Sequence, residues 1–154
     1  MALKAEGIVH LERECAKRIR AHGVETYPHE CCGALLGRDG DGAYVAGKLR
    51  EILEVVPLVN RRKDSPRNRF SVSTRDVTAV EKTAAARGLV VVGWYHSHPD
   101  HPARPSEYDR ENAWPWYSYI IVGVQNGEAR EMRSWRLKDD REGYVEEEIA
   151  VGEN

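Results

Sequence analysis

The chain has 154 residues, of which 23 are lysine or arginine and 25 are aspartate or glutamate, giving a formal net charge of -2. Hydrophobic residues make up 41% and charged residues 31%, which is too apolar and too mixed in sign for a disordered chain. The near balance of charge argues against a nucleic-acid-binding protein, which usually carries a basic excess, and against a polybasic membrane binder.

The length and the cysteines predict one domain in a reducing compartment. We expect residues 1–154 to form a single domain, because chains of this size usually do. No apolar run approaches the roughly 20 residues of a transmembrane helix, and no signal-peptide core is present, so we expect a cytoplasmic protein without a membrane partner. Cys15, Cys31 and Cys32 are odd in number and two are adjacent, which makes a poor disulfide framework.

The first half of the chain predicts one helix followed by strands. Apolar residues at helical spacing indicate an amphipathic helix over residues 11–22, with Gly23 as its stop. The residue before Pro28 avoids helical geometry, so residues 27–30 are predicted to be a loop. The apolar run over residues 31–37 predicts a buried strand, residues 39–42 a turn, and residues 44–59 one or two further strands.

The second half predicts a helix, a central strand and three later strands. Residues 61–69 indicate a charged loop, residues 70–72 a strand edge, and residues 74–87 a helix capped by Ser73 or Thr74. Residues 89–95 are the most apolar strand and are expected at the sheet centre. Three prolines predict that residues 96–105 form no regular element, after which Ser106 opens a short helix. Strands are predicted over residues 117–124, 130–137 and 144–151.

This alternation of helices and strands predicts the fold class. We expect an α/β (or α+β) fold, built as a single-domain three-layer sandwich with a central mixed β-sheet and flanking helices.

The residues with the clearest chemistry follow the central strand, as His96-x-His98-Pro99 and then Ser106-x-x-Asp109. Residues two apart on a strand face the same side, so the two imidazoles can converge if strand geometry extends that far. Asp109 is the third residue of the helix that Ser106 caps and can point back toward them. Two imidazoles and one carboxylate leave a fourth tetrahedral position for water, which is the layout of a catalytic zinc site.

Each half of this pattern also has an ordinary explanation. A lone His-x-His is usually a pair of surface or core histidines. Ser106-x-x-Asp109 is also a helix capping box. Asp100 and His101 are competing ligand candidates, ranked lower because they lie deeper in the proline-rich loop. The occurrence of both patterns, joined by that loop, favours a metal site over two unrelated structural features.

These residues and spacings resemble the JAMM/MPN-plus (Mov34/PAD-1) zinc metalloprotease family, most closely its small bacterial branch. The upstream segment 27–37 resembles the family's glutamate region, with Glu30 in the place of the glutamate, and the similarity runs from about residue 11 to residue 137. The resemblance implies the family's cytidine-deaminase-like MPN fold and one Zn²⁺ ion bound by the two histidines and Asp109. It also implies that Glu30 is the acid/base and that Ser106 supports the oxyanion. Without the resemblance, Glu30 would be interpreted as a solvated loop carboxylate.

The resemblance implies an isopeptidase or peptidase acting at the C-terminus of a ubiquitin-like, ThiS/MoaD-like sulfur-carrier protein. An extended Gly-Gly tail suits a narrow groove. The alternative is a non-catalytic MPN binding module that keeps its metal as a structural staple. A zinc deaminase is not favoured, because the chain lacks the His-x-Glu and Pro-Cys-x-x-Cys patterns.

The cysteines, several aromatic residues and a charged loop could each have a functional role, but each also has an ordinary structural explanation. Cys31 and Cys32 are expected to be inert packing rather than nucleophiles or ligands. An aromatic group could line a substrate groove, although aromatic residues beside buried strands are usually core; its members are Trp94, Tyr95, Trp114 and Trp116. The charged loop over residues 61–69 is expected to be solvated, with contact to an acidic partner as a minor alternative.

Overall fold

The computed structural model describes residues 7–40, 49–60 and 72–153. The described chain forms strand β1 (Ile8–Leu11), helix α1 (Arg13–Thr26), strands β2 (Cys32–Asp39) and β3 (Leu49–Leu58), helix α2 (Thr74–Ala86), strand β4 (Val90–Pro99), helix α3 (Glu107–Asn112), and strands β5 (Ser118–Gln125), β6 (Glu128–Leu137) and β7 (Tyr144–Val151). The predicted loop over residues 61–69 and most of the predicted strand edge over residues 70–72 lie outside the described residues. Of the helices in the described ranges, none has the length and apolar character that crossing a bilayer requires.

The strands form one mixed sheet that closes into a barrel in the order β1-β3-β2-β4-β5-β6-β7. β1 lies parallel to both β3 and β7, and β4 lies parallel to β5; the other neighbours are antiparallel. The predicted mixed α/β class is therefore confirmed, but the three-layer sandwich is wrong, because β1 joins the two ends of the sheet. No sequence pattern predicts β1, since four residues are too few to show an alternation.

Helix α1 runs through the position at which the sequence predicts its end. It begins at Arg13 and continues past Gly23 to Thr26. A Cβ atom on Gly23 would lie 2.9 Å from the Val124 side chain of β5, closer than real Cβ contacts allow. This glycine therefore permits close packing of the helix on the sheet rather than ending the helix.

Helices cover both faces of the sheet, as the alternation along β2 requires. Leu35 packs in the core cluster that includes Ile19 of α1. Ala34 and Leu36 face the other way and pack with Val80 of α2 in a second cluster. α2 starts as the sequence predicts, because the Ser73 hydroxyl accepts a hydrogen bond from the Asp76 backbone N–H.

Strand β4 is longer than predicted, and this extension carries the two histidines. It pairs in parallel with β5 as far as Pro99, which lies opposite Val124. The Asp100 N–H then donates to the Val124 carbonyl at 2.7 Å. The prediction that residues 96–105 form no regular element is therefore wrong for residues 96–99. A proline is compatible with the last strand position, because the chain leaves the ladder immediately afterwards.

Candidate metal centre

His96 and His98 lie on one face at the end of β4, with 2% and 6% of their surface exposed. Their Nε2 atoms are 3.2 Å apart. The sequence expectation that the two imidazoles converge depends on strand geometry, which β4 provides through its pairing with β2 and β5.

Asp109 reaches the imidazoles because its helix begins with a capping box. The Ser106 hydroxyl accepts a hydrogen bond from the Asp109 N–H, and the Asp109 Oδ2 atom accepts one from the Ser106 N–H at 2.8 Å. That same Oδ2 atom lies 3.3 Å from the Nε2 of His96 and 3.2 Å from the Nε2 of His98. Capping and convergence therefore use one oxygen atom, so the two explanations of this pattern are compatible.

The separations within this triad fit a tetrahedral metal ion. Bonds of 2.0–2.1 Å to a tetrahedral Zn²⁺ place ligand atoms about 3.3 Å apart, and the three observed separations are 3.2, 3.2 and 3.3 Å. The His98 Nδ1 atom donates to the Pro102 carbonyl at 2.8 Å. In that tautomer the His98 Nε2 carries a lone pair aimed at the carboxylate oxygen, an arrangement that repels unless a proton or a cation lies between them.

The charge state of Asp109 also suits a cation. Burial alone raises the pKa of this carboxyl, but the attraction and hydrogen bonds of His96 and His98 outweigh it and hold the pKa well below its usual range. The carboxylate is therefore ionised at neutral pH. The three residues form a group that could hold a metal ion, with their potential ligand atoms all within 4.8 Å of one another.

Glu30 lies beside this triad, buried, at the entrance to β2. The Cys31 N–H donates to the Ser97 hydroxyl at 2.8 Å, and the Ser97 N–H donates to the Cys31 carbonyl at 3.2 Å. Continuing this antiparallel register by one residue sets Glu30 opposite His98. Glu30 is only 4% exposed, so its interpretation as a solvated loop carboxylate is wrong.

The Glu30 carboxyl has one oxygen to which no described group donates a hydrogen bond. Its Oε1 atom is buried and has no hydrogen-bond partner among the residues described. Burial, and secondarily the negative charge of Asp109, raise the pKa of Glu30 to about 9. A buried polar oxygen without a partner is costly and marks a place for a water molecule or a substrate group.

A hydrogen-bond cluster joins the Glu30 loop to the histidine strand. The Tyr27 hydroxyl donates to the Asp100 Oδ2 atom at 2.7 Å, and the Asn126 N–H donates to the Oδ1 atom at 2.9 Å. Asp100, a competing ligand in the sequence, is therefore engaged away from the triad. His101, the other competitor, is exposed.

Ser106 and the cysteines differ in their availability for chemistry. Ser106 is exposed, and the bond that it accepts from Asp109 leaves its hydroxyl hydrogen able to donate elsewhere. Cys31 and Cys32 are buried, and burial raises their pKa values to about 11 and about 12. Both thiols stay protonated at neutral pH, which agrees with the packing role expected for them.

A pocket of about 350 Å³ adjoins the triad, and His96 and Asp109 form part of its wall. Two of the tryptophans proposed for a groove line it, whereas Trp116 lines a different cavity and Tyr95 is fully buried. The pocket's aromatic residues are Trp94, Tyr108, Trp114, Tyr117 and Tyr119. Its three tyrosines are not among the predicted groove residues, although the spacing of Tyr117 and Tyr119 by two positions places them on one face of a strand.

Comparison with protein families matches residues 12–138 to the family described as prokaryotic homologs of the JAB domain. The chain is 34% identical over 95 residues to a desampylase of Haloferax volcanii, covering 61% of this chain and 62% of that protein. It is 29% identical over 117 residues to a probable TtuB-protein conjugate cleaving protease of Thermus thermophilus, covering 76% and 71%. It is 28% identical over 130 residues to the human Lys-63-specific deubiquitinase BRCC36, covering 70% of this chain but 41% of that protein.

Two solved structures show the same fold. A solution structure of a protein from Desulfitobacterium hafniense has a TM-score of 0.79 and 32% identity, covering 95% of this chain and 94% of that chain. A JAB1/MPN domain protein from Archaeoglobus fulgidus has a TM-score of 0.56 at 21% identity, covering 94% and 99%.

Proposed function

The chain belongs to the prokaryotic JAB family, and from that premise we propose that it is a zinc-dependent isopeptidase that cleaves the bond between the C-terminus of a ubiquitin-like protein and an amine. The observation that carries the proposal is a triad with tetrahedral spacing beside a buried, unpartnered Glu30 oxygen. The three relatives described above are named as enzymes that act on ubiquitin or on other protein conjugates, which supports this class of substrate. We extend the proposal to residues 1–154 as one domain and to ThiS/MoaD-like sulfur carriers as the substrates.

In this proposal His96, His98 and Asp109 hold one zinc ion, and Glu30 and Ser106 perform the remaining steps. A bound zinc ion supplies Lewis acidity, which lowers the pKa of a coordinated water from 15.7 to about 7. Glu30 takes the proton from the attacking water and returns it to the leaving nitrogen, a contribution of about 10²–10⁴-fold. A cation held by the triad would lower the raised pKa of this carboxyl, so that Glu30 is ionised before the first transfer and holds the proton between the two.

Ser106 supports the same step from the other side of the triad. Its hydroxyl hydrogen can donate to the oxygen of the scissile carbonyl as negative charge develops there. Removing a donor of this kind typically costs ~10²–10³ in rate. The capping box fixes the position of Ser106 relative to Asp109, so the donor and the proposed ligand stay aligned.

The proposal is tested by incubating the zinc-loaded protein with ThiS/MoaD-like carriers that bear C-terminal extensions or isopeptide-linked peptides. We expect intact-mass spectrometry to show release of the group that follows the terminal Gly-Gly. The Asp109→Ala variant serves as the control and should neither bind zinc stoichiometrically nor cleave. Intact substrates after prolonged incubation with stoichiometrically loaded protein would contradict the proposal.

A second candidate is a binding module in which the metal only stabilises the fold. One observation favours it: the Asp109 Oδ2 atom already has a structural task, capping α3. This candidate predicts that removal of the metal unfolds the protein, because a structural zinc supplies folding energy directly. The isopeptidase proposal predicts that the chelated protein keeps its circular-dichroism spectrum and a cooperative melt at a lower temperature, since the core clusters do not include the triad.

A further inference from the structure

The proposed reaction assigns no role to the aromatic pocket beside the triad. Because His96 and Asp109 form part of its wall, any group inside it belongs to a residue next to the scissile bond. In a ubiquitin-like carrier that ends in Gly-Gly, the residues before that bond have no side chains. Under the proposed function, the occupant must therefore come from the leaving group.

The lining of the pocket is largely apolar and aromatic, which favours an aliphatic occupant. Trp94 and Tyr117 meet edge to face with ring centroids 5.9 Å apart, and Tyr117 and Tyr119 do the same at 6.5 Å. Among the described lining residues none is lysine or arginine, and Asp109, engaged with the histidines, is the only carboxylate. Such walls favour methylene groups, which gain apolar contact with the rings.

Trp114 forms the mouth of the pocket and is held in place although 66% of its surface is exposed. Its backbone N–H donates to the Tyr119 hydroxyl at 2.8 Å, and the Arg141 guanidinium lies 5.6 Å from the centroid of its ring. Large exposed aromatic side chains at a pocket mouth are typical of surfaces that bind a partner. The Trp114 ring therefore supplies an exposed apolar wall of the pocket on a backbone that the Tyr119 hydroxyl positions.

We propose that this pocket binds the methylene stem of a lysine whose ε-nitrogen is joined to the carrier, with Trp114 as a specificity-determining residue. The inference rests on the proposed isopeptidase function. An ε-linked lysine presents four methylenes without a charge, because its nitrogen is part of an amide. Hydrolysis breaks the bond between carbonyl carbon and ε-nitrogen, adds hydroxyl to the carbon and hydrogen to the nitrogen, and releases the lysine as an amine.

The test compares two conjugates of one ThiS/MoaD-like carrier. In the first, the terminal glycine is linked to the ε-amine of lysine in a short peptide; in the second, to the β-amine of 2,3-diaminopropionate in the same peptide, which shortens the stem by three methylenes. From the free energy of burying a methylene, we expect the wild-type KM to be lower for lysine by on the order of 10-fold, with similar kcat. Trp114→Ala should remove most of this preference, and Trp114→Phe should keep it.

Val24→Ala provides the control, because Val24 is an exposed apolar side chain on α1 and is not among the residues that line either cavity; it should keep the preference for lysine. Binding of both conjugates to the inactive Glu30→Gln variant, followed by fluorescence anisotropy, should show the same preference without turnover. Equal constants for the two linkages, or a preference that survives Trp114→Ala, would overturn the inference while leaving the isopeptidase proposal intact. No cleavage of either conjugate by zinc-loaded wild type would overturn both proposals. Faster release of an α-linked leucine than of an ε-linked lysine would overturn this inference alone.

Discussion

Two of the ionic clusters that the described residues bury differ in how their hydrogen-bonding capacity is used. In the first, Arg50 of β3 is fully buried and pairs with Asp39 of β2 through its Nε and Nη2 atoms, at 2.5 and 3.1 Å. Its Nη1 atom donates to the carbonyls of Val92 and Trp116 and to the Ser118 hydroxyl. All of these hydrogen bonds join Arg50 to protein groups, which lie on β2, β4, β5 and the segment before β5.

In the second cluster, formed by the triad and Glu30, the polar groups are not all paired with protein groups among the described residues. The Nε2 atom of His98 and the Oδ2 atom of Asp109 face each other at 3.2 Å, and a buried oxygen of Glu30 has no hydrogen-bond partner among the described residues. Burial of polar groups is tolerated when they are paired and is costly when they are not. The comparison teaches that burial of charge alone does not mark a site: the first cluster pairs its groups within the protein, whereas the second leaves groups that, under the proposed function, an ion and a substrate would complete.

Glu30→Gln gives the largest effect that distinguishes the clusters. Amide replaces carboxylate at nearly the same size, so zinc binding should be unchanged, while cleavage should fall by about 10²–10⁴-fold because no group then carries the proton. Zinc stoichiometry by mass spectrometry under native conditions and turnover of the lysine conjugate measure the two quantities. Turnover like that of wild type would remove Glu30 from the mechanism.

Asp39→Ala tests the Arg50–Asp39 cluster, whose hydrogen bonds are made to protein groups. It leaves the buried Arg50 without its carboxylate, which should lower the free energy of unfolding by about 3–5 kcal/mol, measured by urea denaturation. Zinc affinity should stay within about twofold, an approximate limit set by distant sites acting independently. The double variant Asp39→Leu with Arg50→Met is the control and should recover much of the stability. An Asp39→Ala protein with the free energy of unfolding of wild type would show that this pair does not stabilise the barrel.

Tyr27→Phe weakens the connection between the Glu30 loop and the histidine strand. We expect zinc affinity to be unchanged and kcat to fall by about 10-fold, because a small displacement of a positioned group is costly in rate. Tyr95→Phe is a matched control, since it removes a hydroxyl contact of the same 2.7 Å length, to His22, in the core cluster that packs against α1. Equal losses of kcat in the two variants would contradict a positioning role for Tyr27.

The last prediction concerns pH in the metal-free protein. The Glu30 pKa rises from 4.5 to about 9 on folding, chiefly through burial. The folded state therefore binds one more proton than the unfolded state between these values, and this contribution to stability is present below pH 4.5 and is lost as the pH rises toward 9. Glu30→Gln should remove that loss, so the Tm difference between variant and wild type should be near zero at pH 5 and positive at pH 8.5. A difference that does not grow with pH would contradict this assignment.

The convergence of the three triad side chains is predictable from the sequence because its geometry is local. His96 and His98 are two residues apart on one strand, and Asp109 follows at a capping position, so short-range rules bring them together. The burial of Glu30 beside them depends on the pairing of β2 with β4 across 66 positions, which no local spacing encodes. The Arg50–Asp39 pair has the same dependence on strand pairing and gives no sequence signal. Barrel closure is not predictable from the sequence, because β1 contributes only four residues.

The double use of the Asp109 oxygen has an evolutionary consequence. A capping box accepts glutamate as readily as aspartate, so Asp109→Glu preserves the start of α3 while moving the carboxylate out of the spacing that an ion requires. Aspartate and glutamate codons differ only in the third base, and one such change would yield a folded pseudoenzyme. In this architecture the loss of catalysis is a short mutational step that leaves the scaffold free for other duties.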